Sequence, residues 1–329
     1  MNKVIYILCL WGVATSCRKE SDLPSYEYEL VVPPHFPEMI IPSDNPITHD
    51  KIKLGKLLFE DVRLSRNNTV SCASCHQQAN AFGDETALSV GLDGSLSNRN
   101  SSPLFNLGYH PYYFKDGGAP SLEIQVIAPI ENEIEMDLNI VDACKKLNNE
   151  GDLTSLSYKV FETEITPFVI SRSIATYLRS LVSGNSRYDQ YQLGDENALT
   201  EQEQLGLSLY AGKANCISCH SGTNFTNYSF ENNGLYDIYS DEGRTIITGN
   251  SLDEGKFKVA SLRNLSFTAP YMFDGSIATI DEVIEHYNSG GSSHSNKSES
   301  ILPLLLTQNE KDALKAFLLS LNDVTFVEK

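Results

Sequence analysis

Residues 72–76 read CASCH and residues 216–220 read CISCH, two copies of the pattern C-x-x-C-H lying 144 residues apart. Cysteines at i and i+3 can hold a porphyrin edge against one helical turn through two thioether bonds. The histidine that follows then stands where its ring can coordinate the iron. A redox dithiol has no use for that histidine, and a zinc ribbon does not need it adjacent. The two stretches therefore predict two covalently bound haem c groups, attached through Cys72, Cys75, Cys216 and Cys219, with His76 and His220 as axial ligands.

The remaining cysteines fit an exported chain. Lys3 precedes the apolar run VIYILCLWGVA, the build of a secretory signal too short to span a membrane. Ala14-Thr15-Ser16-Cys17 resembles a lipobox, which makes residues 1–16 a signal peptide, Cys17 a lipidated first residue and 17–44 a tether. Ordinary cleavage after Ser16 is the competing reading. The expected location is the periplasm, an oxidising compartment, with the membrane reached through the lipid anchor only. Cys144, on the expected helix DLNIVDACKKLNN, reads as a small buried apolar residue. With 43 acidic residues against 25 basic ones, the net charge of −18 argues against nucleic acid and favours a basic protein partner or a small neutral substrate.

At 329 residues the chain is long enough for two domains, and the repeat extends beyond the haem motifs. Asp116-Gly117 is followed after three residues by Ser121-Leu122-Glu123, and Asp274-Gly275 by Thr279-Ile280-Asp281. An aromatic residue precedes each block, Phe114 and Phe273, and an Arg-Asn pair lies upstream, Arg99-Asn100 and Arg263-Asn264. Capping patterns at Thr200/Glu203, Thr279/Glu282 and Thr307/Glu310 open helices. Pro167 opens another, with Ile170, Ile174, Tyr177, Leu178 and Leu181 as its apolar stripe and an end near Gly184. No alternating strand pattern appears, and GGSSHSNKSES, residues 290–300, reads as a surface loop with a solvated His294. The expected fold class is mainly α: two tandem cytochrome c-like haem domains over 45–190 and 195–329.

The repeat is not symmetric where it matters. Thirteen residues beyond Asp274 stands Tyr287, and thirteen beyond Asp116 stands Pro129, which cannot ligate iron. An iron capped on its second face carries electrons, whereas one with an open face binds peroxide. Tyr287 is the candidate second ligand of the C-terminal haem, with His286 and Met272 as rivals and helix packing as the plain alternative.

The motifs SCASCHQQANAFGD, RNSSPLFNLGYH, FKDGGAPSLEIQVIAPIENEIEMD, NCISCHSGTNF and KVASLRNLSFTAPYMFDGSIATIDEVIEHYNSGG resemble, in order and spacing, the bacterial dihaem cytochrome c peroxidases, including their MauG-like branch. The resemblance covers residues 45 to 325. It implies a peroxidatic N-terminal haem and an electron-collecting C-terminal one, with Gln125 and Glu135 in the peroxidatic pocket and Phe114 near them. A carboxylate there can carry a proton from one peroxide oxygen to the other as the O–O bond breaks; without the resemblance Glu135 reads as one more acid in the run Glu131, Glu133, Glu135. The resemblance also implies Ca2+ held by Asn100 and the carbonyls of Thr268 and Pro270, and a homodimer.

Four departures qualify it. Leu92 replaces the loop histidine that blocks the first haem in many members, and Tyr287 replaces methionine, as in the MauG branch. Lys115 stands where a tryptophan usually lies between the haems, and Phe273 replaces a histidine before Asp274-Gly275. Arg263 reads either as a propionate partner or as a solvated turn residue. The expected function is reduction of hydrogen peroxide to water with electrons from a small cytochrome c or cupredoxin. The alternatives are a MauG-like oxidase of a protein or organic substrate and a non-catalytic dihaem electron-transfer cytochrome.

Overall fold

A computed structural model describes residues 28–328. The expected signal peptide, Cys17 and the first part of the expected tether lie outside the described residues. The chain is built from α1 (His49–Glu60), α2 (Cys72–Cys75), α3 (Leu122–Glu131), α4 (Ile140–Glu150), α5 (Thr154–Phe161) and α6 (Pro167–Ser180), followed by α7 (Arg187–Gln192), α8 (Glu201–Ala211), α9 (Thr245–Thr248), α10 (Ile280–Ser289), α11 (Gln308–Leu319) and α12 (Val324–Val327). The described strands are β1 (Phe230–Glu231) and β2 (Phe257–Lys258), paired antiparallel. The mainly helical expectation therefore holds.

Helix starts are dictated locally. Thr200, Thr279 and Thr307 each accept from the backbone N–H three residues on, and Glu203, Glu282 and Glu310 reach back to close the capping box. Pro167 sits in the first turn of α6, capped by Thr166. This helix ends at Ser180 rather than near Gly184, because Leu181 leaves helical geometry at φ −80°, ψ 82°.

Each half is organised by one helix crossing. In the first, α1 meets α6 at Gly55, where an added Cβ would lie 2.0 Å from the Ser173 carbonyl oxygen. In the second, α8 meets α11 at Gly206, where the same atom would lie 2.0 Å from the Ala313 carbonyl oxygen. Two apolar cores follow. One gathers residues of α1, α3, α4 and α6, including Leu54, Leu58, Ile130, Leu147 and Ile174; the other gathers Tyr210, Ile284, Leu314, Phe317 and Leu321.

The structure also fixes the register of the repeat. Asn106 and Asn264 both adopt left-handed geometry and open three-residue turns, Leu107–Tyr109 and Leu265–Phe267. Tyr113 and Tyr271 donate their hydroxyls to the Leu107 and Leu265 carbonyls at 3.1 and 2.8 Å. Both tyrosines close small hairpins, with Ala119 and Ile277. The true mate of Asn264 is thus Asn106, not Asn100, and Phe114 pairs with Met272 while Lys115 pairs with Phe273. The Arg-Asn similarity noted in the sequence falls at unequal spacings from the two Asp-Gly turns.

Three further segments differ from the sequence reading. Residues 28–44 of the expected tether are docked on the body, with Phe36 and Met39 buried and His35 Nε2 2.8 Å from Asp189. Past the second core the chain returns to the first, where Phe326 of α12 is buried. His294 is not simply solvated: it accepts from the Asn296 backbone at 3.1 Å and packs edge-on to Tyr239. The Gly206→Ala variant forces the α8–α11 crossing apart, and overpacking of this kind costs ~1–3 kcal/mol or more. The expected result is a melting temperature lower by roughly 2–4 °C per kcal/mol lost, measured by thermal unfolding.

Candidate haem cavity and catalytic site

A continuous cavity of about 1160 Å³ runs between the halves and is lined by both C-x-x-C-H motifs. It exceeds the ~300–1,000 Å³ usual for a single small ligand. In each motif one tight turn does the positioning. The backbone N–H of His76 donates to the Cys72 carbonyl at 3.0 Å, and that of His220 to the Cys216 carbonyl at 2.9 Å. Both histidines donate Nδ1–H to backbone carbonyls: His76 to Phe82 at 2.8 Å, and His220 to Ala260 and Phe225 at 3.0 and 3.2 Å. Since a carbonyl only accepts, Nε2 carries the lone pair on each ring, the tautomer a metal ligand needs. Burial pulls both imidazoles below their ordinary pKa, which keeps them neutral. Burial also pushes the Cys72 and Cys216 thiols up to about 12. A redox dithiol depends on the opposite shift.

Above the first motif, Glu135, Gln125, Phe114 and Pro129 line the cavity. Burial raises the Glu135 carboxyl above its usual range, while the Asn132 amide, donating to Oε1 at 2.7 Å, partly offsets it. Gln125 Oε1 is buried without a hydrogen-bond partner among the described residues. Phe114 enters from a left-handed turn at φ 61°. Leu92 is 2% exposed, lies in the first core, and donates its backbone N–H to the Glu135 carbonyl at 3.0 Å. Its loop thus supports Glu135 from behind instead of reaching across the cavity. Gly91 permits this closeness, since a Cβ there would lie 2.0 Å from the Ile134 carbonyl oxygen.

Above the second motif the same positions carry different chemistry. Met272, the mate of Phe114, and Tyr287, the mate of Pro129, both line the cavity. The Asn233 amide lies 3.3 Å from both Met272 Sδ and the Tyr287 hydroxyl. Burial raises the Tyr287 phenol. His286 turns elsewhere, its Nε2 3.0 Å from the Asn233 carbonyl oxygen, and it does not line the cavity.

Between the motifs the cavity wall carries Lys115, Lys258 and Arg99, with Phe273 stacked on Phe257 at 4.1 Å. The one tryptophan of the chain is Trp11, so no indole lies among the described residues. Arg263 faces neither solvent nor cavity. It is 1% exposed, paired with Asp189 through two 2.8 Å bonds, and packed against Phe36 and Phe225. Both sequence readings of this residue are therefore corrected: it is a buried tie.

Asn100, Thr268 and Pro270 all line this cavity. The Asn100 amide nitrogen lies 3.3 and 3.2 Å from the Thr86 and Ala87 carbonyls, which leaves Oδ1 for another partner. Asn100 Oδ1 and the Thr268 and Pro270 carbonyls are all oxygen donors, the ligand type that calcium takes.

Asn132, Asn233, Gly91 and Lys258 were not singled out by the sequence. Asn132 alone left a trace there, standing three residues before Glu135 in a run of acids. The residues present fit two porphyrins: paired thiols and an imidazole with Nδ1 engaged by a backbone carbonyl at each end of one cavity, with an orphaned amide oxygen and a carboxyl raised by burial beside the first.

Residues 49–197 match the family model for di-haem cytochrome c peroxidase. The chain is 33% identical to methylamine utilization protein MauG of Methylorubrum extorquens, over 93% of this chain and 87% of that protein. It is also 33% identical to cytochrome-c peroxidase IdrP1 of Denitromonas iodatirespirans, over 87% of this chain and 85% of that one. The crystal structure of a MauG-like protein associated with microbial copper homeostasis superposes with a TM-score of 0.87 at 34% identity, covering 91% of this chain and 97% of the other. With relatives of this similarity spanning both halves, the chain belongs to the di-haem cytochrome c peroxidase family, a family of oxidoreductases.

Proposed function

We propose that this protein is a dihaem c-type peroxidase that reduces hydrogen peroxide to water at its N-terminal half, with electrons from a small redox protein relayed through its C-terminal half. The observation that carries this reading is the chemical asymmetry at two repeat positions: Phe114 and Pro129 in the first half, Met272 and Tyr287 in the second. The first pair offers an iron nothing; the second offers two donors.

Haem held through Cys72, Cys75 and His76 supplies the peroxide-binding position and the electrons that split the O–O bond. The chain supplies proton handling and confinement. Two electrons and two protons turn one peroxide into two waters, so a proton must move from the inner oxygen to the outer one as the bond breaks. Glu135 is poised for that transfer, because burial holds its carboxyl above the ordinary carboxylate range even though the Asn132 amide partly offsets the shift. Gln125 Oε1, lacking a protein partner, is a ready acceptor for a peroxide O–H. Phe114 presents an apolar wall, and the Leu92 loop leaves the cavity clear.

In the C-terminal half, Cys216, Cys219 and His220 would hold the second haem, and Tyr287 would supply its second donor. A phenolate is a hard anionic donor that favours the ferric state. Met272 reaches the same Asn233 amide and is the alternative donor. With Lys115 in place of an indole, transfer between the haems would use another path or direct edge-to-edge tunnelling, since an aliphatic ammonium cannot carry an electron hole. Ca2+ at Asn100, Thr268 and Pro270 joins the halves, and a lipid on Cys17 places the enzyme at the periplasmic face of a membrane. The 33% identity to MauG favours a second reading, in which the oxidised centre acts on a protein or organic substrate. Steady-state turnover with peroxide and a reduced donor separates the two.

Three tests follow from the residue roles. Replacing Cys72 and Cys75 by serine halves covalently bound haem from two to one per chain, read by haem staining and pyridine haemochrome. Glu135→Gln lowers peroxide turnover by about 100-fold or more with haem content intact; unchanged turnover removes Glu135 from the mechanism. Asn132→Ala removes the hydrogen bond that favours ionised Glu135, so its pKa rises further. The acid limb of the pH–rate profile then moves to higher pH, and an unmoved limb contradicts the pairing.

A further inference from the structure

We propose that Lys115 and Lys258, one from each half, form a seat for the propionate carboxylates of the bound porphyrins. This rests on the dihaem reading above and concerns residues to which that reading gives no ligand role. The two lysines are tied through the main chain, the Lys258 N–H donating to the Lys115 carbonyl at 2.6 Å. Both side chains line the cavity between the two C-x-x-C-H motifs.

The absence of an ion pair among the described residues distinguishes them from Arg99, the other cation on that wall. Arg99 is already matched, with Asp116 at 2.6 Å and Asp241 at 2.6 Å. Lys115 and Lys258 have no ion pair among the described residues. The Lys258 ammonium donates to the Tyr112 carbonyl at 2.8 Å and lies 3.3 Å from His110 Nδ1, both neutral partners. Burial pulls His110 well below its ordinary pKa, so it acts there as an acceptor and not as a second cation. Asp274, the carboxylate felt by Lys115, is engaged by the Tyr236 hydroxyl at 2.6 Å. Burial, reinforced by Arg99 beside Lys115 and by Lys115 beside Lys258, holds both ammonium groups down to about 8, more than Asp274 and Asp116 offset. Porphyrins in the cavity would lie in the space that both lysines line. A buried charge is tolerated when it is paired, and the anions that porphyrins bring are propionates.

The consequence is electrostatic. A cation beside a propionate offsets negative charge near the iron and so favours the reduced state. A lysine at position 115 thereby contributes charge compensation where an indole cannot.

Spectroelectrochemical titration of the holoprotein tests this with Lys115→Met, Lys258→Met and the charge-preserving Lys115→Arg. With two haems bound and absorption maxima unchanged, each methionine variant lowers the midpoint potential of at least one haem tenfold in its reduction equilibrium, about 59 mV for one electron. Lys115→Arg keeps the wild-type value. Loss of a haem from the methionine variants but not from Lys115→Arg also supports the seat. Unchanged potentials in both methionine variants overturn it, as does equal loss of haem from Lys115→Met and Lys115→Arg. Wild-type protein that binds no haem overturns the reading beneath it instead.

Discussion

The structure depends on one hydrogen bond made twice: the histidine that ends each C-x-x-C-H turn gives its Nδ1–H to a backbone carbonyl, Phe82 for His76 and Ala260 and Phe225 for His220. That bond fixes the tautomer and aims Nε2 into the cavity at His76 and again at His220. Two cysteines one turn earlier face the same space. Everything else in each half, from the glycine-pinned helix crossing to the tyrosine-closed hairpin, sets a distal helix across from that ring. Identical scaffolding therefore presents a proximal ligand on one side and an interchangeable residue on the other.

What occupies the interchangeable positions separates the halves. Phe114 and Pro129 leave the first distal face without a donor atom, while Glu135 stands beside it with its charge weakened by burial. Met272 and Tyr287 crowd the second, gathered by one amide. The halves are then bound to one another by polar ties in several places. Arg99 reaches Asp241, the Asn106 amide donates to Asn224 at 2.9 Å, and the Asn100 backbone donates to the Phe273 carbonyl at 2.9 Å. Such ties would hold two haems at a fixed separation, as the proposed electron transfer requires.

Much of this was legible in the sequence because it rests on local rules. The haem motifs need only four consecutive bonds' worth of geometry, the capping boxes need four residues, and the offset of Tyr287 from Asp274 is conserved by a helix. What the sequence obscured was set by long-range packing. Arg263 sits in an Arg-Asn pair that imitates Arg99-Asn100, yet its guanidinium is buried against Asp189, 74 residues away. The carbonyl behind Glu135 is held by Leu92, and Phe326 returns to the first core after the whole second half has folded. No spacing rule links such pairs. The true repeat register, Asn106 with Asn264, emerges only when backbone conformation and the tyrosine bonds are compared.

The central claim is that one iron keeps an open distal face beside Glu135 while the other is capped. Electron paramagnetic resonance of the resting ferric holoprotein reads both coordination spheres together. The account predicts one high-spin and one low-spin signal, with the high-spin signal lost on addition of peroxide. Two low-spin signals that ignore peroxide would contradict it.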